Sequence, residues 1–249
     1  MIKNNFILIV FISVLSWSNI FAQSKILPVE SFTKVIVSPH IQVNFVQGDK
    51  ESVIVEDIDV PFEKLNIEVN GRTLHVYLEG AKTITKSEKV NNEDYKGKRD
   101  IYNGTIVKAT ITYRNLEELS LRGEEDFVCK SPLEVDKFKL TVYGESKVAF
   151  EKVIFNNFET TIYGESEILV KSGTIGRHRI IAYGESQITT LGAKTTSAKL
   201  TAYGETSFRL HVTEDLKVTA YGEATIEYKG DAIVNKGIII GDATIRKIN

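Results

Sequence analysis

The chain has 249 residues, 31 Lys/Arg against 33 Asp/Glu, a formal net charge of −2 and one cysteine. This near balance argues against a nucleic-acid partner, which would need a basic surface to displace counterions. A single cysteine excludes an intrachain disulfide.

Residues 1–22 read as a signal peptide. Lys3 supplies the positive charge, Phe6 to Leu15 form a short apolar core, and Ile20-Phe21-Ala22 precede Gln23 as a cleavage site. The core is too short to anchor in a membrane, and no second long apolar run follows, so no transmembrane helix is expected. Cys129 lies far from the signal, so there is no lipoprotein acylation site; six residues after Gly123, it reads as an inward core residue. The expected destination is the periplasm, the outer membrane or the medium. The chain stops at Asn249, so no membrane barrel is expected after the repeats.

Residues 23–115 read as a β-rich capping portion. Phe32 to Val37 alternates and is broken by Pro39; Ile41, Val43 and Phe45 alternate next. Leu65 to Val69 and Leu74 to Leu78 flank Asn70-Gly71, a hairpin signal. Residues 80–104 are charged and poor in apolar groups, and read as an exposed loop; Ile106 to Tyr113 returns to strand.

Residues 116–249 carry the repeat. Tyr-Gly-Glu-Ser occurs at Tyr143, Tyr163 and Tyr183, then as Tyr203-Gly204-Glu205-Thr206 and Tyr221-Gly222-Glu223-Ala224. Degenerate copies stand at Arg122-Gly123-Glu124 and Ile240-Gly241-Asp242. The glycines are 21, 20, 20, 20, 18 and 19 residues apart, a period that marks a stacked solenoid. Counted from each glycine, the even positions are apolar or hydroxylic, as in Val142, Ser146, Val148 and Phe150, so the segments are strands with those positions inward. Stacked Ser146, Ser166, Ser186 and Thr206 are expected to form a hydroxyl ladder that satisfies itself. Odd positions face out as columns: basic (Lys139, Arg179, Lys199, Lys217, Lys236, with Glu159 the exception), threonine (Thr141, Thr161, Thr201, Thr219), tyrosine, acid. The expected fold is all-β, a right-handed parallel β-helix-like solenoid of about seven rungs of about 20 residues.

Five stretches stand in order along the chain: Phe32-x-x-Val35-x-Val37, Val43-x-Phe45-x-Gln47-Gly48, Val69-Asn70-Gly71-x-x-Leu74, Leu116-x-x-Leu119-x-Leu121-x-Gly123 and the Gly-x-Ser rungs. Taken together they resemble the head GIN-domain family of autotransporter adhesins, abundant in secreted proteins of Bacteroidetes. The resemblance runs over roughly residues 30–246 and implies one continuous domain and a role in adhesion. Many members look like Ser-Gly-Ser at the repeat, where this chain has Tyr-Gly-Glu-Ser.

The candidate ligand-binding residues are Tyr143, Tyr163, Tyr183, Tyr203 and Tyr221 with Glu145, Glu165, Glu185, Glu205 and Glu223. Stacked tyrosines rigidify a solenoid and also offer an aromatic surface to a polysaccharide or a surface protein. Stacked carboxylates repel, and are relieved by splaying into solvent, by salt, by neighbouring Lys or Arg, or by a divalent cation. No cofactor is expected; calcium on the acid column is the one candidate, although the calcium-binding nonapeptide is absent. A purely structural envelope scaffold is the first alternative function. A polysaccharide-active β-helix enzyme is the second, weakened because the carboxylates repeat evenly and His40, His75, His178 and His211 fall at unrelated phases. The oligomeric state is left open.

Overall fold

The computed structural model describes residues 25–91 and 96–249; the expected signal segment lies outside them. Eighteen strands are formed among the described residues. In the N-terminal part they are β1 (Lys25–Pro28), β2 (Lys34–Val37), β3 (Ile41–Gln47), β4 (Ser52–Ile58), β5 (Leu65–Asn70), β6 (Thr73–Leu78), β7 (Ser87–Asn91), β8 (Lys96–Asp100) and β9 (Val107–Tyr113). The repeats form β10 (Glu118–Gly123), β11 (Asp126–Cys129), β12 (Leu133–Gly144), β13 (Lys147–Phe150), β14 (Val153–Gly164), β15 (Glu167–Val170), β16 (Gly173–Tyr183), β17 (Ser186–Lys229) and β18 (Ile233–Lys247). Among the described residues the one helical element is a 3-10 turn at Phe62–Lys64, and no helix there is long and apolar enough to cross a membrane.

The seven glycines stack as corners with about six turns between them. Each complete rung is a long strand, a corner, a short strand and a brief turn. The long strand β12 pairs in parallel with β14, and β14 with β16, as Tyr143↔Tyr163↔Tyr183; the short strands β11, β13 and β15 pair in the same sense. The even positions are buried as expected. Val142, Ile162, Ala182, Ala202 and Ala220 are all at or below 2% exposure, which fills the space between the strand layers. A further inward column, six before each glycine, holds Phe138, Phe158, His178, Ala198 and Leu216. His178 stacks on Phe158 with ring centroids 4.4 Å apart, and its Nε2 lies 3.1 Å from the Thr160 hydroxyl. Burial pushes its pKa down to about 3, so the ring is neutral.

Glycine is required at the corners for two reasons. At Gly164, φ is +122°, and an added Cβ would lie 2.4 Å from the carbonyl oxygen of Gly144 in the rung before. That oxygen is clasped by the next rung, accepting from the Glu165 N–H at 3.0 Å and the Ser166 hydroxyl at 2.9 Å. Ser146 and Ser186 bond Gly123 O and Gly164 O in the same way. The serine hydroxyls therefore donate to the glycine backbone and not to one another, because the positive-φ corner turns that carbonyl toward the following rung; the Ser166 hydroxyl also accepts from the Ser146 N–H at 3.2 Å.

The N-terminal strands are in phase with the repeat. Val37 pairs with Leu121 before the corner and Val43 with Phe127 after it, so Ser38, Pro39 and His40 stand opposite Arg122, Gly123 and Glu124. Pro39 does not break the pattern; it is a corner. Proline cannot take positive φ, and the conformation moves one residue on, to His40 at φ +71°, the one non-glycine residue of the described chain with positive φ. Beyond this rung, β6 pairs in parallel with β2 and β9 with β3, and antiparallel β5, β4 and β1 finish the sheet. The β5–β6 turn falls on Gly71-Arg72, one residue later than expected, with Gly71 at φ +61°.

Three other expectations change. Residues 80–104 are not simply a loop. They hold the β7–β8 hairpin, and Ala81 and Tyr102 are buried. Thr141 is buried at 8% exposure, where an outward position was expected. Lys236 leaves the basic column: a bulge between Val218 and Ala220 shifts the last rung, so Lys236 pairs with Val218 and Asn235 with Lys217.

Candidate functional site

The residues before each corner place the tyrosines on one line. Tyr143, Tyr163, Tyr183, Tyr203 and Tyr221 stack with successive centroids 5.0, 5.0, 4.7 and 4.9 Å apart and ring planes within 8° of parallel. The spacing is that of the strands themselves, so in-register pairing alone brings the rings together. Tyr163, Tyr183 and Tyr203 are 42%, 37% and 37% exposed, and Tyr143 and Tyr221 are half-buried. Because the rings lie face to face, each interior ring turns its faces to its neighbours and offers solvent chiefly its edge and hydroxyl.

The column has a distinct head. Arg122 occupies the tyrosine position of the first glycine rung, opposite Tyr143, and its guanidinium carbon sits 4.7 Å from that ring centroid. At the other end Ile240 takes the tyrosine position, opposite Tyr221, and is 61% exposed.

One residue past each corner, Glu145, Glu165, Glu185, Glu205 and Glu223 form the second column, flanked by Glu124 and Asp242. Among the described residues none of these five carboxylates makes an ion pair. The expected relief from neighbouring Lys or Arg is therefore missing, and splaying into solvent and ionic screening are left to do it. No group of three or more His, Cys, Asp or Glu suited to hold a metal occurs among the described residues. The basic column is engaged elsewhere at its head, where Lys139 and Lys34 both pair with Glu118 at 3.0 and 3.2 Å.

Sequence reasoning missed a groove. On the far side of the acid column, Glu167, Gln187, Ser207 and Thr225 make a parallel wall three residues past the glycines, and between the two walls runs an axial groove of about 440 Å³. The signal was the same arithmetic that found the acid column, carried two residues further.

Sequence reasoning also missed the closure of both columns at the N-terminal end. His40 stands at the head of the acid column. Its Nδ1–H donates to Gly104 O at 2.7 Å, and its Nε2 lies 2.6 Å from the Thr85 hydroxyl, in hydrogen-bond contact. Both partners belong to the segment between β6 and β9. Glu125 fills the first serine position. It is 4% exposed, its Oε2 accepts from the Glu124 N–H at 3.0 Å, and burial pushes its carboxyl pKa above the ordinary value against that bond.

The architecture defines a class first: an all-β solenoid whose stacked corners align identical side chains along the axis. The chain belongs to the family described as "Putative auto-transporter adhesin, head GIN domain", whose family model matches residues 31–232. Solved structures of similar fold include a protein described as a putative adhesin from Bacteroides fragilis (19% identity, TM-score 0.73, covering 90% of this chain and 96% of that one). Others are a putative adhesin from Parabacteroides merdae (20%, TM-score 0.62, 91% and 95%) and a putative lipid binding protein from Parabacteroides distasonis (20%, TM-score 0.63, 91% and 96%). At these identities the likeness is one of fold. No curated protein matches the sequence.

Proposed function

We propose that this protein is an exported, non-enzymatic adhesin of the cell surface or envelope that binds an extended glycan along its tyrosine and glutamate columns. In this reading residues 1–22 are removed on export, and residues 23–115 and 116–249 act as one continuous unit in the periplasm, at the outer membrane or outside the cell. The observation that carries the reading is the unbroken row of five rings 4.7–5.0 Å apart, its three central members exposed, with a row of carboxylates that make no ion pair beside it. A ligand would meet ring edges and phenol hydroxyls, which donate and accept, and carboxylates, which accept. A sugar polymer offers hydroxyls to all three. The family's adhesin description supports the same role.

A second reading has its own support. The rings occupy one another's faces, as expected of a staple that only stiffens the stack. The triple variant Tyr163→Ser, Tyr183→Ser, Tyr203→Ser separates the two. Loss of binding on a glycan array with the melting temperature kept supports the binding face; a large fall in melting temperature without any change in binding supports the staple. Catalysis is disfavoured because the carboxylates stand in equivalent surroundings, so none is set apart as acid or base. Release of product from a polysaccharide panel that disappears in Glu165→Gln or Glu185→Gln would reverse that judgement.

A further inference from the structure

Three residues join β2 to β3 across the Pro39 corner, but 28 residues, 79–106, join β6 to β9 at the equivalent corner of the next rung. The described parts of this excursion, 79–91 and 96–106, bring residues 83–85 and 100–104 over the heads of the tyrosine and acid columns, fastened there by His40 through Gly104 and Thr85. Under it lies a pocket of about 500 Å³, within the range of small-molecule sites. Tyr143, Gly144 and Glu145, the first members of the exposed columns, form part of its lining, so the surface strip leads into the pocket without interruption.

The polar groups here are unlike those of any other corner. Arg122 offers only donors. Its Nε is buried without a hydrogen-bond partner, and among the described residues it makes no ion pair. The carboxylates of Glu124, Glu145 and Asp100 offer acceptors and line the same pocket, and Asp100 already accepts from the Ser87 hydroxyl at 2.7 Å. Arg122 and these carboxylates thus share one cavity without an ion pair between them. A ligand of one polarity would leave either Arg122 or the carboxylates unmatched, which is costly in a partly desolvated site. Adjacent hydroxyls on one molecule accept from a guanidinium and donate to a carboxylate at once.

We infer that this pocket is an end subsite that takes one neutral or amino sugar residue, the terminal unit of the glycan lying along the columns. The inference rests on the glycan reading of the face and adds its polarity and its selectivity. The acids outnumber Arg122, so an acidic sugar is rejected. The excursion sets where the chain must end.

The test is a titration of the purified protein with methyl glucoside, glucosamine and glucuronate, followed by NMR of the arginine Nε–H signals. The neutral and amino sugars should shift the Arg122 signal with a dissociation constant of about millimolar order, and glucuronate should bind about tenfold more weakly or not at all. Arg122→Gln should weaken binding about tenfold. Because Arg122 also packs on Tyr143, Asn103→Trp at the exposed rim supplies a second variant that fills the mouth without touching the core, and it should abolish binding. No shift of Arg122 up to about 50 mM sugar, tighter binding of glucuronate than of the neutral sugar, or unchanged binding in Asn103→Trp would overturn the inference. The Tyr163→Ser, Tyr183→Ser, Tyr203→Ser protein distinguishes pocket from face. Retained single-sugar binding there supports an end subsite, even if the polymer fails to bind the face. Loss of single-sugar binding with the fold intact overturns it.

Discussion

Replacing Gly164 by alanine should destabilise the protein far more than the loss of one hydrogen atom suggests. The residue sits at φ +122°, where a side chain costs about 1–3 kcal/mol in backbone strain. The new methyl would also lie 2.4 Å from the backbone carbonyl of Gly144, which cannot rotate away because it belongs to the preceding corner. Moving the two rungs apart stretches the bonds to that carbonyl from the Glu165 N–H and the Ser166 hydroxyl, each worth about 1 kcal/mol. Together these give about 3–5 kcal/mol, or a melting temperature lower by roughly 6–20 °C for a domain of this size. Gly71→Ala is the control: its φ is also positive at +61°, but an added Cβ meets nothing within 4 Å, so only about 1–2 kcal/mol of backbone cost remains. The assay is thermal unfolding by circular dichroism of both variants beside the parent. A Gly164→Ala melting temperature equal to or above that of Gly71→Ala would refute the account of the corner.

Two further outcomes follow from charge. Glu185 has a carboxylate neighbour on each side, and two such charges about 5 Å apart in water repel by about 0.8 kcal/mol before screening. Glu185→Gln should therefore raise stability by about 1 kcal/mol in dilute buffer and by little in 1 M salt, where screening has removed the repulsion; urea unfolding at both salt concentrations reads this. His178 is held neutral, with a folded pKa of about 3 against an ordinary 6.5. Between these values the unfolded chain binds a proton that the folded chain refuses, so the full stability is present above about pH 6.5 and is lost as pH falls toward 3. The loss approaches about 1.4 kcal/mol per pH unit. His178→Leu, measured by urea unfolding at pH 7.0, 5.5 and 4.5, should lose less stability than the parent over that range, and parallel losses in the two proteins would count against a buried neutral ring.

The rungs were legible because Tyr143, Tyr163, Tyr183 and their glycines recur at a nearly fixed period and because apolar residues flank each glycine by twos. The same parity surrounds Pro39 (Val35, Val37, Ile41, Val43, Phe45), yet that rung is masked in the sequence, because proline removes the glycine that marks a corner and hands its conformation to His40. Lys236 was misplaced because counting back from Gly241 assumes no bulge in between, and the bulge at Val218/Ala220 lies in that interval. The stacking of the tyrosines could be inferred from register. That stacking would hide their faces, and that an excursion from a different rung would roof Arg122 and Glu125, depends on contacts between segments about 20–80 residues apart, which no local pattern encodes.

The stacking of each rung on the one before it has a mechanical consequence. Every rung is fastened to its predecessor by sheet bonds lying along the stack axis, and at Ser146, Ser166 and Ser186 a hydroxyl on the preceding glycine carbonyl adds to them. A chain pulled between β1 and β18 carries the load in series through these links, and the weakest end gives way first. Each turn released pays out roughly 65–70 Å of extended chain. Tension would lengthen the molecule in steps, rung by rung, while the turns not yet peeled keep their columns in register.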